Sequence, residues 1–158
     1  MSAHRAYVGI GANTGDASWN VRRALAALRD LGTLVRRSSL YRTQPWGRTD
    51  QAPFVNAVAL LETTYDPHAL LAAFKAIEVR LGRIAGERWG PRAIDLDLLT
   101  YDDRTLDEPG LRLPHPSMGD RAFVLVPLAE IDASYEPLRD ALADSALHGV
   151  ERLAEPTS

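Results

Sequence analysis

Short apolar runs alternate with two stretches of helical periodicity over the first two thirds of the chain. Each run is rich in β-prone residues and is bounded by glycine, proline, asparagine or aspartate, a pattern typical of β-strands. The predicted strands are residues 6–11, 33–41, 54–63 and 94–101. A loop of turn-forming residues, 43–53, separates the second strand from the third.

The first helix is predicted between the first two strands. An apolar stripe recurs there at helical spacing and consists of Val21, Leu25 and Leu28. Either Asp16 or Ser18 can cap the N-terminus, because both side chains accept hydrogen bonds from backbone amides. Gly32 is well placed to end the helix.

The second helix has clear start and stop signals, with Asp66 as N-cap, Pro67 at the first helical position and Gly82 after the last turn. Its apolar face consists of Leu70, Phe74, Ile77 and Leu81. The element order is then βαββαβ. This order predicts a ferredoxin-like α+β fold, with helices packed on one face of an antiparallel sheet.

The last third of the chain is interrupted by prolines and turn residues. We predict a strand at residues 123–127 and a short helix at residues 138–142. Residues 151–158 are predicted to be a frayed end. A chain of 158 residues with 46% hydrophobic and 25% charged residues fits one globular domain. We therefore expect a single domain, residues 1–158, with a C-terminal extension beyond the βαββαβ core.

The composition argues against several classes of protein. Without cysteine, the chain has no disulfide framework and no thiolate nucleophile. A formal charge of -3 and a pI near 5.8 give no basic footprint for nucleic acid. The N-terminus lacks an apolar signal region, and no apolar run approaches the roughly 20 residues that span a bilayer. We expect a cytoplasmic monomer without nucleic-acid or membrane partners.

The fourth predicted strand carries two carboxylates. Side chains alternate along a strand, so Asp95 and Asp97 share one face about 7 Å apart, while Ile94, Leu96 and Leu98 point the other way. The two charges repel by roughly 2 kcal/mol at an effective dielectric constant of about 20, and a divalent cation removes that repulsion. Mg²⁺ suits the pair because it takes one or two carboxylates and completes its shell with water and phosphate oxygens. A solvated polar strand face would give the same short pattern.

The loop before this strand places arginines among glycines, with Arg83, Arg88 and Arg92 lying near Gly82, Gly86 and Gly90. Guanidinium groups form forked hydrogen bonds with phosphate oxygens, and glycines allow a loop to move. A plain connection with solvated charges is the alternative. Next to an aspartate pair of the metal-binding type, the better interpretation is a lid over a triphosphate, with Trp89 at its tip.

Arg88-x-Gly-Pro-Arg92-x-x-Asp95-Leu-Asp97, followed by two aliphatic residues, resembles the signature of the hydroxymethyldihydropterin pyrophosphokinases of folate biosynthesis. The likeness extends over roughly residues 6–131. Further matching blocks are Gly11-Ala-Asn13, Tyr41-Arg-Thr-x-Pro45, Phe54-Val-Asn56, Ile77-Glu78, Gly82-Arg83, Pro114-His115 and Arg121-x-Phe123. The chain departs from the family pattern at Ala12, Ala85 and Pro116, where a serine, a second arginine and an aromatic are common.

The resemblance implies a role for each matching position. Asp95 and Asp97 would hold two Mg²⁺ ions that bridge the phosphates of ATP, and Arg83 and Arg92 would act with them in catalysis. The implied ATP-binding residues are Glu78, Arg88, Arg92, Leu98, His115 and Arg121. The implied substrate-binding residues are Thr43, Gln44, Trp46, Phe54, Asn56, Trp89 and Phe123, with the two phenylalanine rings stacking on either face of a pterin.

The implied reaction is attack by the hydroxymethyl oxygen of 6-hydroxymethyl-7,8-dihydropterin on the β-phosphorus of ATP, giving the pterin diphosphate and AMP. Either Asp95 or Asp97 could accept the proton. Three other classes are weighed from the residues alone. A dinucleotide-binding loop fails because Thr14 stands where the third glycine belongs, and a P-loop fails because Lys75 is the only lysine. A ferredoxin-like module that binds single-stranded RNA through sheet aromatics stays open, although the carboxylate pair argues against it.

Overall fold

A computed structural model describes residues 3–43, 53–82 and 94–155. The strands are β1 (His4–Ala12), β2 (Thr33–Arg37), β3 (Tyr41–Thr43), β4 (Phe54–Thr63), β5 (Asp95–Tyr101), β6 (Leu106–Glu108), β7 (Leu111–Leu113) and β8 (Val150–Arg152). The helices are α1 (Ala17–Leu28), α2 (Pro67–Leu81), α3 (Ala122–Ile131), α4 (Glu136–Asp140) and α5 (Asp144–His148). None of the helices in these ranges is long and apolar enough to cross a membrane.

The main sheet is antiparallel and six-stranded, in the order β5-β1-β4-β3-β8, with β2 also paired to β4. The predicted α+β fold is confirmed. A dinucleotide-binding fold is excluded, because it requires a mostly parallel sheet. A separate hairpin, β6–β7, follows β5.

Both core helices begin as their N-caps predict. Asp16 accepts a hydrogen bond from the amide of Trp19 at 3.1 Å, so Asp16 rather than Ser18 caps α1. Asp66 accepts from the amide of Ala69 at 2.8 Å. The C-terminal prediction for α1 needs a correction, because the helix ends before Arg29.

Gly32 serves a different purpose from the predicted helix end. A Cβ at this position would lie 2.1 Å from the carbonyl oxygen of Glu62, so only glycine allows the connection to approach β4 this closely.

The predicted strand 33–41 is two strands rather than one. Between β2 and β3, Ser38 donates its backbone amide to the Val58 carbonyl oxygen at 2.8 Å and accepts from the Val58 amide through Oγ at 2.9 Å. The hydroxyl therefore replaces a regular ladder contact. This local competition between side chain and backbone breaks the strand.

Each face of the sheet is covered by helices, which corrects the expectation of a single covered face. On one face, α1 packs against β1 and β4 and α2 packs against β5, around a core cluster that includes Val8 and Ile10. On the other face, α3 packs against a second cluster that contains Val58, Leu99 and Leu125.

Residues 123–127 belong to the helix α3, so the predicted strand is wrong. Seven of the ten residues of α3 are buried, and buried positions occur on every side of the helix. A short apolar run without periodicity cannot be distinguished locally from a buried strand. The short helix predicted at 138–142 exists as α4, shifted two residues toward the N-terminus.

The predicted frayed end is also wrong over residues 151–155. Strand β8 pairs with β3, and the amide of Leu153 donates to the Leu40 carbonyl oxygen at 2.8 Å. Arg37 binds both carboxylate oxygens of Glu155, at 3.0 and 2.8 Å. The C-terminal extension thus extends the main sheet by one strand.

Candidate active site

Strand β5 presents the two aspartates in the predicted alternation. Asp95 and Asp97 are half-buried, whereas Leu96 and Leu98 between and beyond them are each 4% exposed on the core face. Within the described residues, β5 pairs only with β1, so it is an edge strand there. An Asp pair on one face of an edge strand is a donor set that suits Mg²⁺.

The neighbouring strand β1 places glycines opposite both aspartates. Asp95 pairs with Gly11 and Asp97 with Gly9. Residues directly opposite each other in an antiparallel pair project to the same face. The aspartates therefore lie beside a strip of β1 that has no side chains of its own, and the side chains of Leu99 and Asn56 reach over it.

Asn56 lies in the same row as Asp95, one strand further across the sheet. Gly11 pairs with Asp95 on one side and with Asn56 on the other. With strands about 4.8 Å apart, the backbone of Asn56 is about 10 Å from that of Asp95. The Oδ1 of Asn56 reaches over β1, because a Cβ built on Gly11 would lie only 2.8 Å from it.

Phe54 and Thr43 continue this face beyond Asn56. Phe54 is two residues before Asn56 on β4 and pairs with Thr43 on β3. Its ring is 37% exposed, which is unusual for phenylalanine and suits a stacking surface. The Thr43 hydroxyl oxygen is buried and has no hydrogen-bond partner among the described residues. An unsatisfied buried polar atom costs about 1–3 kcal/mol, which a ligand that supplies the missing bond would offset.

Phe123 comes to the same face of the sheet from α3. It packs against the cluster that contains Val58 and Leu99, and Val58 follows Asn56 by two residues on β4. The guanidinium carbon of Arg121 lies 5.5 Å from the centre of the Phe123 ring. The two predicted aromatic platforms, Phe54 and Phe123, are thus presented on one side of the sheet.

A pocket of about 360 Å³ opens beside Asp97, at the exposed edge of β5. Two of the predicted ATP-binding residues, Leu98 and His115, line it. The sequence interpretation missed the other lining residues, which are Leu71, Pro109, Gly110, Leu111, Arg112 and Pro116. Most of them come from the β6–β7 hairpin, which carries no motif, and Pro116 directly follows the matching block Pro114-His115.

His115 is held firmly at this pocket. Its amide donates to the Leu99 carbonyl oxygen at 2.8 Å, and its Nδ1 accepts from the amide of Ser117 at 3.2 Å. Because Nδ1 is an acceptor, the neutral ring carries its proton on Nε2. This nitrogen can then donate a hydrogen bond, as a nucleotide-binding residue would. Pro116, where the family commonly has an aromatic, forms part of the pocket wall.

Glu78 has a buried position that its sequence pattern did not predict. The residue is 5% exposed, and its Oε2 accepts a hydrogen bond from the Leu96 amide at 2.9 Å. Leu96 lies between the two aspartates, so Glu78 connects α2 to the strand that carries them. Its implied contact with ATP stays a prediction.

Six of the predicted site residues lie outside the described part of the chain. They are Gln44, Trp46, Arg83, Arg88, Trp89 and Arg92. Their roles stay as the sequence predicts them.

Comparison with known proteins gives a consistent result. Residues 7–133 match the sequence model of the family described as 7,8-dihydro-6-hydroxymethylpterin-pyrophosphokinase (HPPK). A 2-amino-4-hydroxy-6-hydroxymethyldihydropteridine pyrophosphokinase from Methylorubrum extorquens is 45% identical over 156 residues, covering 94% of this chain and 98% of the relative. The Pseudomonas aeruginosa protein of the same name is 42% identical, covering 94% of this chain and 96% of the relative.

Solved structures show a similar fold. A Plasmodium falciparum HPPK-DHPS variant with SDX-DHP superposes with a TM-score of 0.72 at 17% identity, covering 88% of this chain and 45% of that chain. An HPPK-DHPS in complex with substrates gives a TM-score of 0.65 at 14% identity, covering 83% of this chain and 40% of that chain. The present chain thus spans less than half the length of these solved chains. Similarity at such low identity concerns the fold.

Proposed function

The chain belongs to the 7,8-dihydro-6-hydroxymethylpterin-pyrophosphokinase family, and on that premise we propose how its residues serve the reaction. The enzyme transfers the pyrophosphoryl group to 6-hydroxymethyl-7,8-dihydropterin in folate biosynthesis. ATP is the proposed donor, two Mg²⁺ ions the proposed cofactors, and AMP the second product. We further propose that the enzyme acts as a cytoplasmic monomer.

One observation carries the proposal for the site. Asp95, Gly11 and Asn56 form one row across three adjacent strands on the same face, and a pocket opens beside Asp97 in the neighbouring row. A carboxylate pair and a carboxamide about 10 Å apart are suitably spaced for metal-bound phosphates at one end and a flat heterocycle at the other.

The aspartates Asp95 and Asp97 would hold the two Mg²⁺ ions. When bound there, the ions would neutralise the negative charge that spreads over the phosphate oxygens during transfer. Either carboxylate can accept the proton of the attacking hydroxyl, since the two stand on the same face of β5.

The pocket beside Asp97 would bind the nucleotide. Its apolar side chains, including Leu71 and Leu98, suit a purine ring, while Arg112 and His115 supply hydrogen-bond donors. Arg112 also lies 3.2 Å from Asp107 through its Nε, which leaves other guanidinium nitrogens to face a ligand.

The pterin would lie on the exposed ring of Phe54, with Phe123 contributing the second aromatic surface. Offset stacking of this kind adds roughly 0.5–1.5 kcal/mol beyond the burial of area. Asn56 and Thr43 would bind the polar edge of the ring, satisfying the buried hydroxyl of Thr43. Attack by the hydroxymethyl oxygen forms a bond to the β-phosphorus, the bond to the bridging oxygen of the α-phosphate breaks, and AMP leaves.

Transfer also requires the phosphates to be positioned and water to be excluded. Arg83 and Arg92 would bind the phosphate oxygens through charge-assisted hydrogen bonds, and Arg88 would assist in nucleotide binding. Trp89 would cover the bound substrate. In a loose phosphoryl-transfer transition state, such positioning supplies most of the catalysis.

Isothermal titration calorimetry tests this function directly. A nonhydrolysable ATP analogue is titrated into the protein with Mg²⁺ and with excess chelator, and the pterin is then titrated into the ternary mixture. We expect nucleotide binding that requires Mg²⁺ and pterin binding that follows it. Metal-independent nucleotide binding, or absence of AMP and pterin diphosphate in a turnover assay, would contradict the proposal. Binding of single-stranded RNA instead would favour the ferredoxin-like binding module.

A further inference from the structure

The β6–β7 hairpin forms one wall of the proposed nucleotide pocket without pairing to the main sheet. Each of its strands has three residues, and an isolated two-stranded hairpin is only marginally stable in water. Strand β7 is held in place by Leu111 and Leu113, which are buried in the hydrophobic core. Pro109 and Gly110 form the turn at the end of the hairpin, and both line the pocket. The shape of this wall therefore depends on what holds the turn.

An ion pair holds the turn to helix α2. The Nε2 of His68 lies 2.8 Å from the Oε2 of Glu108. Glu108 is the last residue of β6 and directly precedes the turn. His68 is the second residue of α2 and lies one helical turn before Leu71, which lines the pocket from the side of α2. The contact thus connects the hairpin wall of the pocket to its helical wall.

The strength of this contact depends on the charge of the imidazole. A protonated ring adds the attraction of opposite charges to the hydrogen bond, and a neutral ring does not. Histidine side chains in general change their charge between about pH 5 and 8, whereas glutamate is ionised throughout that interval. The pair is therefore strongest in mild acid and weakens as the pH rises.

Glu108 is the charged group that contacts His68, and the charges on the surrounding elements lie against other groups. On α2, Asp66 caps the helix through the Ala69 amide, and Lys75 lies two turns further along, about 10 Å away. On the hairpin, Asp107 and Arg112 pair with each other. Other charged residues on the elements packed against α2 are Asp95 and Asp97 of β5, Asp102 and Arg104 after it, which contact His4 and the Tyr101 ring, and Arg23 of α1, which binds the Leu81 carbonyl at the far end of α2.

We infer that His68 and Glu108 are positioning residues for the nucleotide, and that their contact holds the hairpin wall in its binding position most firmly when His68 is protonated. The inference rests on the proposed binding of ATP in this pocket. With the contact formed, the pocket is open and has a volume of about 360 Å³. A wall that is already ordered loses less conformational freedom when a ligand binds, which raises the affinity. Nucleotide affinity should therefore contain a contribution that is present in mild acid and is lost as the pH rises.

His4 provides a matched control. Its Nδ1 lies 2.7 Å from the Oδ2 of Asp102, so it forms the same kind of pair with a carboxylate. This pair joins the start of β1 to the residue after β5, and neither of its members lines the pocket. Replacing His4 therefore removes a histidine–carboxylate contact without releasing a wall of the pocket.

The experiment measures nucleotide affinity at two pH values. The nonhydrolysable ATP analogue is titrated calorimetrically, with saturating Mg²⁺, into the wild type, His68→Gln, Glu108→Gln, the double variant and His4→Gln. At about pH 6 we expect each single variant of the pair to bind the analogue about two- to fivefold more weakly than the wild type, and the double variant to bind no more weakly than either. At about pH 8.5 these differences should shrink to less than about 1.5-fold.

His4→Gln should bind the analogue as the wild type does at both pH values. Titration of the analogue itself or of the residues inside the pocket is common to all five proteins, so the differences between them report on the pair. The melting temperature of each protein without ligands shows whether a variant is destabilised.

Wild-type affinity of His68→Gln or Glu108→Gln at about pH 6 would overturn the inference, whether or not the melting temperature falls. Losses that add in the double variant would also overturn it, because the two residues would then act separately. A loss of equal size at both pH values would do the same, since the charge of His68 would play no part. If the wild type itself does not bind the analogue with Mg²⁺, the proposed function fails, and the inference fails with it. If the wild type binds and the variants bind equally well, only the inference fails.

Discussion

Gly11 separates two predicted functional side chains, Asp95 on one neighbouring strand and Asn56 on the other. A Cβ at this position would approach the Oδ1 of Asn56 to 2.8 Å, closer than real Cβ contacts allow. The absence of a side chain therefore matters as much as the charged groups beside it. It lets Asn56 reach over β1 toward the aspartates.

Replacing Asp97 by Ala tests the carboxylate pair. We expect turnover to fall by about 10²–10³-fold or more, because an electrostatic contact made in the transition state is lost. The free energy of unfolding should change by less than about 1 kcal/mol, since the side chain is half-buried on an edge strand. Steady-state assays of AMP release and urea denaturation provide the two measurements.

Asp30→Ala is the control for this variant. The carboxylate of Asp30 is 72% exposed and lies 3.7 Å from Arg80, on the side of the sheet covered by α1 and α2. Its removal should leave turnover unchanged. Near wild-type turnover in Asp97→Ala would contradict the role assigned to the aspartates.

At the level of elements, β5 depends on contacts from outside the sheet. Within the described residues it has only β1 as a paired strand, and its other edge is bound by the His115 amide, which donates to the Leu99 carbonyl oxygen, and by the side chain of Glu78. Glu78 of α2 binds the Leu96 amide there, and Leu96 lies between the two aspartates. The position of the carboxylate pair is therefore coupled to the packing of α2.

Two substitutions of Glu78 test this coupling. Glu78→Ala leaves the buried Leu96 amide without its acceptor and should destabilise the protein by about 1–3 kcal/mol. Glu78→Gln keeps an acceptor oxygen at the same distance from the backbone, so this variant should lose less stability than Glu78→Ala. Urea unfolding monitored by circular dichroism measures both variants. Equal stability of the Ala variant and the wild type would show that this contact is unimportant.

For the whole molecule, the C-terminal extension packs against the main sheet. Helix α3 covers the face that carries the site, and its Glu130 accepts hydrogen bonds from the Ser39 amide at 2.8 Å and the Tyr41 hydroxyl at 2.9 Å. At the same end of α3, the Tyr7 hydroxyl donates to Asp132, the C-cap residue, at 2.7 Å. These contacts fasten α3, and with it Phe123, to the sheet.

The Tyr41 contact predicts how stability depends on alkaline pH. Burial, together with the hydrogen bond to the Glu130 carboxylate, raises the pKa of Tyr41 from 10.0 to about 12. The folded state therefore holds this proton more tightly than the unfolded state. The resulting stabilisation is present below pH 10 and is lost as the pH rises toward 12.

We expect the free energy of unfolding to fall over this interval, by up to about 2 kcal/mol for Tyr41. Tyr41→Phe should be less stable at neutral pH and should show a shallower alkaline decline. Urea unfolding at a series of pH values measures both effects. Parallel declines in the two proteins would argue against a contribution from Tyr41.

The amino-acid sequence by itself determined the features that arise from local interactions. The cap at Asp66, the apolar stripe of α2 and the alternation around Asp95 and Asp97 all depend on residues a few positions apart. Backbone geometry fixes which of these side chains share a face. The motif around the aspartates was also sufficient to identify the family.

Only the tertiary structure decided the features that depend on distant contacts. Nothing local distinguishes the buried helix α3 from a buried strand, because burial on all sides removes the periodicity. Strand β8 exists because the edge of β3 is available to it, and the pocket at Asp97 exists because the β6–β7 hairpin folds beside β5.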